Sequence, residues 1–148
     1  MISYWKTLVA SSDLENRRAL ATILSAQGLE PICAGTVAEC RQVLENEDVV
    51  LIFCDRHLTD GGHRELLRAV RSSGTKALVV ITSREPVWDE YLEAMRLGAF
   101  DVIASPCVPT DVEWMVLQAG RFERNRARAA REAGWSSSYG ERGAGQTA

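Results

Sequence analysis

Apolar positions in this chain come in two kinds of stretch that alternate along its length. Short continuous apolar runs read as strands covered on both faces: Thr7–Ala10, Pro31–Ala34, Val49–Cys54, Ala77–Thr82 and Val102–Ala104. Val49–Cys54 is the strongest, with six consecutive apolar residues of mainly β-branched and aromatic type. Between the runs, apolar residues recur at helical spacing. Leu20, Ile23 and Leu24, bounded by polar Gln27, predict a first helix that Gly28 ends. Thr36-x-x-Glu39 is a capping box opening a second, with Val37, Cys40 and Leu44 inward. Leu66, Leu67 and Val70 mark a third within Glu65–Arg71. A fourth follows Pro86 and ends at Gly98, with Trp88, Tyr91, Leu92 and Met95 on one stripe. Thr110-x-x-Glu113 opens the last, with Val112, Met115, Val116 and Ala119 inward.

Five strand–helix alternations predict an α/β fold of three layers: a five-stranded parallel sheet with helices on both faces, flavodoxin-like in topology. Chemistry in such sheets collects at the carboxyl ends of the strands. That rule gathers Ser11, Ser12 and Asp13 after the first strand, Asp55 after the third, Thr82 and Ser83 after the fourth, and Ser105 after the fifth. Ser12-x-x-Glu15 also reads as a capping box for the first helix. Asp55 has two readings, a turn-capping carboxylate or a functional one; its place after the most apolar strand favours the second.

Composition changes the picture at the C-terminus. The domain is expected over residues 1–122. Arg124, Arg126, Arg128 and Arg131 make 123–133 an arginine-rich, exposed continuation of the last helix, and the Gly/Ser-rich tail 134–148 is expected to be disordered. A net charge of −3 over 148 residues gives no reason to expect a nucleic acid partner, and the arginines read first as a solvated face. No run of about 18 uncharged apolar residues predicts a membrane span. Met1–Lys6 has no signal-peptide pattern, so a cytoplasmic protein is expected. Cys33, Cys40, Cys54 and Cys107 lack metal-ligand spacing and read as buried free thiols. His57 and His63 have no ligand constellation and are expected on an exposed loop.

The order of elements, the apolar strand ending in Asp55, Thr82 closing the fourth strand, and the stretch Leu97–Pro106 (LGAFDVIASP) together resemble the receiver domain of two-component response regulators. The resemblance covers roughly residues 6–118. It implies that Asp55 is the phosphoacceptor for a histidine kinase or phosphotransfer protein in a phosphorelay. It implies further that Thr82 is the switch residue and that the face of the last two helices and the fifth strand binds a downstream partner or a second copy of the chain. The family's acidic pair, which holds magnesium with the phosphoacceptor, falls on Ser11 and Ser12; Asp13 lies one residue further on. The phosphate-pairing lysine falls on Ser105, although Pro106 after it is kept, and the switch aromatic falls on Val102. His57 would offer a metal only its backbone carbonyl.

Magnesium would therefore rest on Asp55 and Asp13 and bind weakly. The expectation is a receiver without an output domain, not an enzyme, acting either as a slowly phosphorylated switch or as a pseudo-receiver that binds its partner whatever the state of Asp55. The alternative is a small flavodoxin-like module binding a nucleotide or flavin. It lacks support from any Gly-x-Gly-x-x-Gly or Walker-type loop; Gly61-Gly62 alone is too little.

Overall fold

Strand β3 (Val49–Asp55) lies at the centre of a five-stranded parallel sheet ordered β2-β1-β3-β6-β7. Its neighbours are β1 (Lys6–Ala10) and β6 (Leu78–Ser83); β2 (Glu30–Ala34) and β7 (Asp101–Ala104) form the edges. This is the flavodoxin-like order, as expected. The structure is a computed structural model; it describes residues 5–147, with side chains through residue 134.

Burial follows the pleat. Leu8, Ala10, Ile52, Cys54, Val79 and Ile81 belong to one core cluster, which takes in Val37 and Cys40 of α2 (Val37–Asn46) and Leu66, Leu67 and Val70 of α3 (His63–Ser73). Alternate strand positions, Val9, Leu51, Phe53 and Val80, turn the other way and are fully or almost fully buried, as are Leu20 and Leu24 of α1 (Leu14–Ala26). Val112, Met115 and Val116 of α5 (Pro109–Thr147) are buried too.

The structure corrects several local expectations. The cap of α1 is Asp13, whose side chain accepts the backbone N–H of Glu15, so Ser12 is left outside the helix and exposed. Thr36 does cap α2, accepting from Glu39 N–H at 3.0 Å, but the Glu39 carboxylate reaches back to Gly35 N–H instead of closing the box on Thr36. In α4 (Trp88–Arg96) the predicted apolar stripe turns only partly inward: Ala94 is the buried residue, Tyr91 and Leu92 are half-buried, and Trp88 is 70% exposed. A helix this short can bury one small residue against the sheet and leave its largest apolar group in solvent.

A two-stranded antiparallel ladder, β4 (His57–Leu58) with β5 (Gly61–Gly62), follows β3 and was not foreseen. Here Gly62 passes so close to the Arg56 carbonyl oxygen that a Cβ would lie 2.3 Å from it. His63 is not on a loop but is the first residue of α3, half-buried; His57 is exposed. Of the cysteines, Cys33 is exposed and Cys40, Cys54 and Cys107 are buried.

The chain divides into two compact units, Met1–Val116 and Leu117–Ala148, earlier than the boundary expected at residue 122. The α5 backbone is helical through Thr147, where a disordered tail was expected from residue 134. The alanine- and arginine-rich stretch before it favours helix and propagation is cooperative. Tail side chains lie outside the described residues. Among the described residues, no helix is long and apolar enough to cross a membrane.

Candidate functional site

The carboxyl ends of β1, β3, β6 and β7 open on one pocket, and Asp55 stands at its floor. Parallel pairing brings the pieces into register: Asp55 of β3 lies opposite Thr82 of β6, and Ala10 of β1 opposite Cys54. Ser12, Asp13, Asp55, Thr82 and Ser105, all singled out from the sequence, line the pocket together with Arg56, His57 and Arg84. Ser11 lies fully buried, bonded to Asp55. Pro106 is exposed and takes no part in the lining; its peptide bond to Ser105 is cis.

Both oxygens of Asp55 are occupied by uncharged donors. Oδ2 accepts from the Ser11 hydroxyl at 2.5 Å. Oδ1 accepts from the Thr82 hydroxyl at 2.5 Å and from Asn16 Nδ2 at 2.8 Å. All three donors are almost fully buried. A buried donor held on a carboxylate satisfies two needs at once, its own hydrogen bond and the charge of its acceptor. The strands are stitched beneath this cage: Arg56 N–H donates to Thr82 O at 3.1 Å, and Ser105 N–H to Ser83 O at 2.8 Å.

Asn16 is a contact of Asp55 that sequence reading missed. Its signal was present: helix α1 begins directly after β1, so its first inward-facing residue must overhang the strand ends, and a polar residue there needs a partner. Arg84 was missed as well. Its guanidinium pairs with the Asp13 carboxylate at 2.6 Å and holds that carboxyl below its ordinary range; the cap bonds from the start of α1 act in the same direction. The cationic groups of the pocket, Arg56 and Arg84, thus come from the ends of β3 and β6, and the lysine-equivalent position Ser105 contributes a hydroxyl.

These residues do not fit a magnesium ion. Magnesium demands several oxygen ligands in near-octahedral array. Asp55 already accepts from Ser11, Asn16 and Thr82, Asp13 is drawn to the cap and to Arg84, and Ser11 turns its hydroxyl to Asp55, which leaves too few oxygens for that array. Among the described residues, no group of three or more His, Cys, Asp or Glu side chains is gathered to hold a metal. His57 lines the pocket, but a carbonyl oxygen there would be a ligand without a carboxylate set to join.

No protein-family model matches the chain. Among curated proteins, it is 30% identical over 105 residues to the aerobic respiration control protein ArcA of Escherichia coli K12, covering 71% of this chain and 44% of that protein. It is 25% identical over 129 residues to the response regulator protein PilR of Pseudomonas aeruginosa, covering 87% of this chain and 29% of PilR. The chain thus spans less than half the length of these two relatives. Among solved structures it superposes on the signal receiver domain of a LuxO repressor protein from Vibrio parahaemolyticus with a TM-score of 0.78 at 14% identity, covering 84% of this chain and 95% of that one. A two-component response regulator from Clostridium difficile gives 0.74 at 22% identity, over 79% and 96%. By sequence kinship with these regulators and by its fold, the chain is a response-regulator receiver domain.

Proposed function

We propose that this receiver domain signals as a protein-interaction module whose binding does not depend on phosphorylation of Asp55. One observation carries the reading: the Asp55 carboxylate already accepts three hydrogen bonds, from Ser11, Asn16 and Thr82, and serines stand where the family has the acidic pair and lysine that serve a metal and an incoming phosphoryl group. Phosphoryl transfer to a carboxylate relies on positioning and on cations that neutralise developing charge. Here the family's acidic pair and lysine are serines, and the nearest acid, Asp13, is tied to Arg84. Each 1.4 kcal/mol of lost transition-state stabilisation slows the transfer about tenfold. Asp55 is held by its three donors and Asp13 by Arg84 and the cap of α1, so in this reading the domain acts by binding and not as an enzyme. No feature of the pocket favours the flavin or nucleotide alternative.

The partner surface follows from the family resemblance and from exposure. On α4, Val87 at the cap and Trp88 and Met95 within the helix are exposed, with Trp88 stacked on Tyr91 at 5.5 Å. Val108 and Trp114, at and beyond the start of α5, are exposed as well. Large apolar and aromatic groups left in water on two helices are what a protein partner would desolvate. The partner classes are a histidine kinase or phosphotransfer protein, a downstream effector, or a second copy of the chain.

The test is intact-mass analysis after incubation with acetyl phosphate, with and without magnesium, on wild type and Asp55→Asn. No mass gain is expected in any arm. A magnesium-dependent gain of one phosphoryl group, absent from the variant, would overturn the reading and return the chain to the switching receivers.

A further inference from the structure

Behind the Asp55 pocket lies a second, separate cavity of about 150 Å³, bounded by β6, β7, α3 and α4. Arg56 and Ser83 line both spaces and so form the wall between them. The cavity has an apolar side, with Ile81, Ala94 and Val102, and a polar side whose groups are incompletely used. Ser83 is 4% exposed, and its buried hydroxyl has no hydrogen-bond partner. The Arg56 Nε–H is buried without one as well. Glu90 Oε2 is 2.7 Å from Arg56 Nη1, an ion pair that still leaves the carboxylate further accepting capacity.

Two buried polar atoms without a partner, beside an ion-paired carboxylate around one small space, are unusual, because buried polar groups are nearly always satisfied. Their chemistry is complementary to a particular head group. Arg56 Nε–H can only donate, the Glu90 carboxylate can only accept, and the Ser83 hydroxyl can do either. The fixed charges are already balanced in pairs, Arg56 with Glu90 and Arg64 with Glu93 at 2.5 Å. Burial also keeps the half-buried His63 imidazole on the neutral side of its ordinary range. A charged ligand would upset that balance, whereas an uncharged group with a donor and an acceptor side by side would complete it. A cavity of this volume holds an object about the size of a six-membered ring.

We propose that this cavity is a binding site for a small uncharged carboxamide with an apolar body. The carbonyl oxygen accepts from Arg56 and Ser83, the amide N–H donates to Glu90, and the body packs on Ile81, Ala94 and Val102. Because Arg56 and Ser83 directly follow Asp55 and Thr82, occupancy alters the wall of the Asp55 pocket without touching its carboxylate.

The test is titration of the full ¹⁵N-labelled chain with benzamide, followed by amide chemical shifts. Toluene serves as an apolar control of similar size and benzoate as the charged counterpart. Saturable shifts at Ser83, Ala94 and Val102 are expected with benzamide, and binding at least fivefold weaker with toluene and with benzoate. Ser83→Ala should weaken benzamide at least threefold, and Ala94→Leu, which fills the cavity, should abolish its binding. Thermal melts check that both variants fold; Ser83→Ala alone decides if Ala94→Leu does not. Absence of saturable shifts would overturn the proposal and leave the cavity as a water-filled space. Toluene binding as tightly as benzamide, or Ser83→Ala binding unchanged, would equally overturn it by making the polar wall irrelevant.

Discussion

Asp55 is surrounded by donors and not by other acids, and this decides what its removal does. In a site crowded with carboxylates, deleting one relieves repulsion and stabilises the fold. Here Asp55→Ala would orphan the buried Thr82 hydroxyl and the Asn16 amide, while Ser11 keeps the Asp13 carbonyl as an acceptor. A loss of about 2–4 kcal/mol is expected in urea denaturation, from one or two buried donors left unsatisfied. A gain in stability would refute the hydrogen-bonded cage. His63 offers a pH test. Burial is the main cause that lowers its pKa below 6.5, with Arg56 and Arg64 acting the same way, against the Arg56 carbonyl and Glu93. The folded state therefore binds the proton less readily than the unfolded chain. Stability from this group is complete above about pH 6.5 and declines as the pH falls from there through the depressed folded value. His63→Gln should flatten the slope of stability between pH 7 and 5, read by denaturation at stepped pH. An unchanged slope would assign the dependence to other groups.

At the scale of elements, the helices differ in what they contribute. Helix α3 buries Leu66, Leu67 and Val70, whereas α4 buries only Ala94 and leaves Trp88 in solvent. Leu66→Ala is expected to cost about 2–5 kcal/mol, and Trp88→Ala less than about 0.5 kcal/mol despite removing the larger side chain. Chemical denaturation of the two variants side by side checks the contrast. The β4–β5 ladder depends on the close passage of Gly62 by Arg56 O. Gly62→Ala should destabilise by about 1–3 kcal/mol through that clash, with the amide shifts of His57–His63 moving most. The apolar period of α4 was legible in the sequence but its direction was not: the same spacing fits a buried stripe or an exposed one, and only packing against the sheet chooses. The ladder left no hydrophobic signal because its strands are two residues each.

For the whole molecule, stability rests on the sheet core and little on surface charge. Each ion pair described keeps both side chains at least 25% exposed, so each contributes little. Raising sodium chloride from 0.1 to 1 M should change the unfolding free energy by less than about 1 kcal/mol, measured by urea titration; a larger drop would mean that the ion pairs act as a network. The fold was almost wholly legible because its signals are local and repeated. Val49–Cys54 is too apolar for any place but a central strand, and the alternation of runs with helical stripes admits few topologies. The position of Asp55, Thr82, Asp13 and Ser105 at one sheet edge followed from that alternation, because parallel strands bring their carboxyl ends together. Tertiary structure decided how those residues are used. Asn16 reaches Asp55 from a helix 39 positions earlier in the chain, and Arg84 crosses to Asp13 from another strand end. The cap of α1 falls on Asp13 and not on Ser12, and Trp88 and Met95 of the α4 stripe face water. Periodicity records which residues share a face, whereas the partner of a hydrogen bond between distant segments exists only once the chain has closed on itself.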